Sequence, residues 1–406
     1  MAQGYAWLPD RLRGTGGAPV QTRLLGKRAT ALHGRDAVHF FYDSDHIRRR
    51  SALPGPVLDT LFGRGAVHTL DGQQHAARKA LFMALLKTDD AVAALAEQAG
   101  DQWDVAAKEW ATHPQVELFT ASSEVIAQSV CAWAGIPLAP DEAPSLAADL
   151  VAMVDGFATV GPRHWKARRA RARREMWLQD LIGGLRTATA AGDVASPDSA
   201  LQRVALHRDD TGQLLSAQTA AVEVLNIIRP ATAVAWFVTF AAHALHRWPD
   251  RREALREGGT SEALAFAHEV RRFYPFVPFV GGLAAQDLHW KDVAIPEGSL
   301  VLLDVYGHQH DADLWPEPYR FNPARFLDRS MASDELIPQG GGDTASGHRC
   351  PGEDITLALL TVLSGRLAGM TYSVPPQDLS ISLHRVPARP RSGFRMSLRT
   401  SNSGTV

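Results

Sequence analysis

The segment "SAQTAAVEVLNIIRPATAVAWFVTFAAHALHRW", from Ser216 to Trp248, constrains the fold more than any other. Its residues are apolar on almost every side of a helix, and such a helix lies inside a protein. Arg229 and Pro230 sit in its middle. A buried arginine is very costly without an anionic partner. Proline in a helix interior costs about 3 kcal/mol and frees a carbonyl. A kinked helix whose arginine meets Glu223 is one solution. A ligand anion in the same place is the other.

Helical signals dominate elsewhere. "DDAVAALAEQAGDQWDVAAKEWA" repeats apolar residues every three or four positions after Thr88-Asp89-Asp90. "TSEALAFAHEVRRFYP" reads as a helix stopped by Pro275. Strand signals are fewer: "HFFYD" near the start and "SLVLLDVYG" after the turn "IPEG". The proline- and aromatic-rich region 275–326 reads as strands and irregular loop. The 406 residues alone suggest two or three domains. No long Gly/Ser/Pro linker divides them, so one mainly helical domain with small β-sheets is expected over 1–398, with the tail "RTSNSGTV" (399–406) frayed.

A net charge of −2 gives no global field toward nucleic acid or a membrane surface. The start "MAQGYAWLPDRLRG" lacks the pattern of a signal peptide. No run of about 18 apolar residues stands out, so no membrane span is expected. Two cysteines, Cys131 and Cys350, make no disulfide framework, and a reducing cytoplasm is the simplest compartment.

Cys350 lies in "HRCPGEDITLALL", after the glycine-rich "QGGGDTASG", where the backbone can approach another group closely. Upstream, Glu269 and Arg272 share a helix face at i,i+3. Arg325, in "WPEPYRFNPARF", sits where a guanidinium is often tied to a buried carboxylate. The order E-x-x-R, P-x-R-F, H-R-C-P-G resembles the cytochrome P-450 superfamily over nearly the whole chain. The resemblance implies the P-450 fold and haem b, with Cys350 as thiolate ligand of the iron. It makes Glu269, Arg272 and Arg325 a structural triad holding the loop under the haem.

Two departures point to a subgroup. The loop "PQGGGDTASGHRC" carries extra residues. The central helix, which crosses the distal face of the haem, reads "NIIRPATAV" where ordinary monooxygenases carry an acid followed by threonine. The Arg-Pro pair is similar to that of the fatty-acid peroxygenase and decarboxylase group. The resemblance implies a soluble enzyme that uses hydrogen peroxide on long-chain fatty acids and needs no redox partner. Arg229 then clamps the substrate carboxylate bidentately, beside Pro230, and that carboxylate replaces the missing acid. The products are 2- or 3-hydroxy acids, or a terminal alkene after loss of carbon dioxide.

The same resemblance places Phe62 and His68 in the distal pocket, and His75 and Lys79 at the haem propionates, with Arg49 and Arg349 as further haem contacts. Val154, Phe157 and Phe279 become candidates for holding the acyl chain. Blander readings stand beside these: a solvated face for His75 and Lys79, a structural role for His68, core packing for Phe157. The basic run "RHWKARRARARRE" suggests nucleic acid or anionic lipid, or more simply a solvated helix face. A monooxygenase fed by a redox partner, with Thr232 as the nearby hydroxyl, and a haem-binding sensor are the rivals.

Overall fold

The computed structural model describes residues 4–24, 26–192 and 198–398. The expected frayed tail lies outside them. The apolar segment forms two helices, Ala217–Thr232 and Val234–Arg247, at the centre of the molecule. Pro230 has no N–H to give the carbonyl one turn back. At Ala233 (φ −65°, ψ −11°) the backbone stays right-handed but tightens: Ala233 N–H still donates to Arg229 C=O, and Trp236 N–H then donates to Ala233 C=O, a three-residue step. Together the two helices are long and apolar enough to cross a membrane by composition, although no such run stood out in the sequence. Their most apolar stretch is 94% buried inside the protein, which accounts for the composition.

Other helices enclose this centre. Leu118–Ala134, Ala143–Gly156 and Pro162–Ala190 pack on the Arg229 half. Leu118–Ala134, Gly259–Phe273 and Glu353–Gly369 pack on the other half. Leu359, Leu360 and Leu363 of the last helix are fully buried, each contributing about 2 kcal/mol of hydrophobic stabilisation. The helix Asp89–Trp110 forms as its periodicity predicts. Thr88 caps it by accepting from Ala91 N–H, and Asp89 and Asp90 complement its N-terminus. Gly259–Phe273 ends where Tyr274 turns extended before Pro275.

A five-stranded sheet flanks the helices, in the order Val20–Leu24, Lys27–Leu32, Leu300–Asp304, Phe279–Ala284, Ile47–Arg48. Only the pair Lys27–Leu32 with Leu300–Asp304 is parallel, with Ala29 opposite Leu300. Leu300–Asp304 is buried at every residue, as a central strand covered on both faces should be. "HFFYD" is not a strand. It lies mostly in the helix Arg35–Tyr42, because Ala37, Phe40 and Phe41 recur at i, i+3, i+4 and bury one face, outweighing the strand preference of the aromatics.

Candidate active site

Arg229 is 6% exposed and faces no carboxylate within 4 Å among the described residues. Its Nη2 donates to Asn226 Oδ1 at 3.2 Å, and its Nε has no partner. Burial, with the neighbouring charge of Arg171, pushes its guanidinium down to about 9. Glu223 does not supply the counter-charge. Its Oε1 accepts from Arg78 at 2.6 Å and from Val67 N–H at 2.8 Å, and its Oε2 from Asn226 at 3.1 Å. Glu223 is the only acid on either central helix, so no acid remains for Arg229 there.

Arg229 has aromatic company instead. Its Cζ lies 5.8 Å from the centre of the Phe62 ring, and that ring is 4.5 Å from the His68 ring. Asn226 Nδ2 also donates to Phe62 C=O at 3.0 Å, tying this segment to the central helix. His68 sits in the short turn Val67–Thr69, whose first N–H is held by Glu223. Burial and the charges of Arg229, His348 and Lys79 hold the His68 imidazole well below its usual range. Its Nδ1 is buried without a partner.

The helix Ala143–Gly156 packs on the Phe62 segment and carries Val154, which is buried; Phe157 follows at its C-terminus, half-buried. Phe279 begins the strand Phe279–Ala284, whose Gly281 C=O accepts from Arg49; its ring is 5.7 Å from Trp7. Thr232 Oγ1 donates to Ile228 C=O at 2.9 Å, so its hydroxyl is committed to the helix.

Cys350 enters on a glycine-rich loop, its N–H donating to Gln339 C=O. Gly340 adopts φ +99°, and a Cβ there would lie 2.9 Å from the Tyr42 hydroxyl. Burial pushes the Cys350 thiol up; the Gly352 N–H and the charges of Lys79 and Arg271 oppose this. Nearby, the Lys79 ammonium and the Arg49 guanidinium are buried and meet no carboxylate within 4 Å among the described residues, although the Arg49 backbone N–H donates to Asp71. Lys79 Nζ donates to Arg349 C=O at 2.5 Å, and burial pushes it down to about 8. Arg49 Nη1 donates to Gly281 C=O, and its Nε is buried without a partner. His75 stacks on His348 at 4.0 Å between ring centres. One soft sulfur ligand, with buried cations short of anions around it, is the donor set that fits a haem and its two propionates. Arg349 also has partners within the loop: its Nε donates to Glu353 at 2.7 Å and its Nη1 to Ser333 C=O.

Glu269, Arg272 and Arg325 come together. Arg272 binds Glu269 through two bonds of 2.7 and 2.9 Å and also donates to Gln309 and Pro318 carbonyls. Arg325 Nε lies 3.3 Å from Glu269 Oε2, and Asn322 N–H donates to Oε1 at 2.7 Å.

Three site residues went unread in the sequence. Asn226 stands one turn before Arg229, so its spacing could have revealed it. Arg78 precedes Lys79, but its partner is 145 residues away. Arg171 hides in the basic run, whose other basic residues are exposed or half-buried. Arg171 is buried, donating to Glu175 at 2.6 Å and Leu61 C=O at 2.7 Å. Gly63 (φ +86°) makes room for it: a Cβ there would lie 2.2 Å from Arg171 Nη2.

The family model "Cytochrome P450" matches residues 264–367. Cytochrome P450SP alpha (CYP152B1), solved in complex with (R)-ibuprophen, superimposes with a TM-score of 0.93 at 41% identity, covering 98% of this chain and 96% of that one. Cytochrome P450EX alpha (CYP152N1), solved with myristic acid, gives 0.91 at 36% identity, covering 98% and 95%. A variant of cytochrome P450 OleT in complex with arachidonic acid gives 0.92 at 34%, covering 98% and 94%. Matches to curated proteins are shorter. Against Cytochrome P450 4A7 of Oryctolagus cuniculus, identity is 26% over 47% of this chain, and the chain spans 40% of that relative's length.

Proposed function

The chain belongs to the cytochrome P450 superfamily and, within it, to the CYP152 group, and on that premise we propose that it is a haem-thiolate fatty-acid peroxygenase. Solved members of the group hold myristic and arachidonic acid, which makes long-chain acids the first substrates to try. Bound through the Cys350 sulfur, the haem supplies the oxidising chemistry, the thiolate pushing electron density toward O–O cleavage. Arg49, His75 and Lys79 are the residues we assign to its propionates.

The single observation that carries the reading is Arg229. A buried cation with one hydrogen bond and no protein counter-ion is a site for an anion. A carboxylate bound there returns the missing charge and is fixed at high effective concentration beside the reaction centre. It takes over the proton handling that the helix has no acid to perform. Holding the carboxyl end also brings the α and β carbons nearest the oxidant, so hydroxylation at either carbon, or decarboxylation to an alkene, follows. Phe62, Val154 and Phe157 shield the first part of the chain from water. His68, beside Phe62 and with its Nδ1 buried and unpartnered, is the polar side chain we place next to the bound carboxylate. The monooxygenase reading needs a free acid and alcohol on the central helix, and Glu223 and Thr232 are both engaged.

The experiment is turnover of myristate by haem-loaded protein with hydrogen peroxide and no reductase, products read by mass spectrometry. Hydroxymyristate or tridecene is expected. Turnover only with a reductase, oxygen and NAD(P)H would overturn the peroxide reading.

A further inference from the structure

We propose that the outer face of the helix Pro162–Ala190 docks the enzyme on an anionic lipid surface. Three large apolar side chains project into solvent on and just before this helix: Val160 (92% exposed), Trp165 (57%) and Met176 (60%). Trp165, Arg168, Arg169, Ala172 and Met176 fall at i, i+3, i+4, i+7 and i+11, one continuous stripe of the helix. The first four line a shallow surface groove.

The charge on this face is one-sided. Asp149 is shared by Arg173 and Arg174, and Asp155 by Arg163 and Arg385. Glu175 is taken by the buried Arg171. Lys166, Arg168 and Arg169 then remain without a carboxylate within 4 Å among the described residues. The face is thus positive although the whole chain carries −2.

Lone apolar tips ringed by cations suit the headgroup region of a bilayer, where the rings and aliphatic stems sink and the charges stay with lipid phosphates. They suit a second copy of this chain poorly: the same cations would face each other, and scattered tips are not the contiguous apolar patch of a stable dimer. An acidic protein would complement the charge but gives no reason for an exposed Trp, Val and Met between the cations. The fatty-acid reading supplies a use for lipid, since the inner face of the same helix donates from Arg171 to Leu61, beside Phe62. Docking itself is measured without turnover, so it stands or falls apart from that reading.

Haem-loaded protein is sedimented with vesicles of phosphatidylcholine alone or mixed equally with phosphatidylglycerol. We expect partitioning at least tenfold stronger on the anionic vesicles at low salt. Each interfacial cation contributes about fivefold, so the double variant Arg168→Glu, Arg169→Glu should lose at least about 25-fold. Trp165→Phe should retain binding, and Trp165→Ala should weaken it about threefold, in line with lost apolar burial. Both positions are exposed, and turnover of dissolved octanoate should stay at the wild-type rate in all variants. That control separates loss of docking from loss of the fatty-acid site. Equal binding to both vesicle types, binding undiminished by the charge reversals, or a Trp165-dependent dimer in lipid-free sedimentation velocity would each overturn the proposal.

Discussion

Arg272 and Arg229 are both buried arginines on helices, 1% and 6% exposed, and they differ in one respect. Every guanidinium nitrogen of Arg272 is engaged, with Glu269 as its counter-charge and two carbonyls completing the set. Arg229 has one bond, to an amide. A protein gains nothing in stability from a buried cation left that way. The first arginine serves the fold. The second is a cost the fold carries for a ligand, and the cluster around it is built to keep Glu223 from neutralising it.

That contrast can be broken by substitution, most severely at the satisfied end. Arg272→Ala leaves Glu269 buried with Arg325 alone, and we expect a loss of about 3–5 kcal/mol in chemical denaturation. A loss under about 1 kcal/mol would mean that the triad's charges are not what holds it. Glu223→Gln comes next. It removes the charge that balances Arg78 while keeping most of the hydrogen-bond pattern, so about 2–3 kcal/mol should go. If the Glu223→Gln variant were as stable as wild type, the division of labour between Arg78 and Arg229 would need revision.

A third, partly buried charge cluster sharpens the contrast through pH. Burial lowers the His33 imidazole, but the Asp304 carboxylate 3.7 Å from its Nδ1 and the 2.9 Å hydrogen bond to Asp311 outweigh this and raise it to about 9. A raised folded-state value stabilises fully below about 6.5 and is lost as pH climbs through 9. Over pH 6 to 10, wild type should lose about 2 kcal/mol relative to His33→Gln, after allowance for partial solvent exposure. A gap that stays constant with pH would mean that the two carboxylates do not hold the His33 charge. The smallest effect is expected at His68. His68→Gln should leave stability within about 0.5 kcal/mol, because the ring already lacks a partner at Nδ1. It should shift the alkene-to-hydroxy-acid ratio severalfold, read by gas chromatography; an unchanged ratio would confine His68 to packing against Phe62.

The two arginines were not equally legible in the sequence. Arg272 belongs to a linear pattern with Glu269, and Arg325 and Cys350 follow in fixed order, so the proximal half reads almost directly from the chain. Arg229 announced itself by being charged in an apolar helix, yet whether Glu223 paired with it was undecidable without coordinates. The competing cation, Arg78, approaches from another helix, and no local spacing encodes that. Arg171 was lost in a run of arginines because burial depends on which helix face turns inward. "HFFYD" misled because aromatic residues favour strands on average, whereas its i, i+3, i+4 pattern placed one helical face on the sheet.

The most direct test of the account is one variant measured twice. Arg229→Leu should be as stable as wild type or slightly more so, since it exchanges an uncompensated buried charge for apolar volume. The same protein should bind myristate at least about 100-fold more weakly, by calorimetry, and should lose peroxide-driven turnover to a similar degree. A marked loss of stability with near-normal myristate binding would contradict the account, because Arg229 would then belong with Arg272.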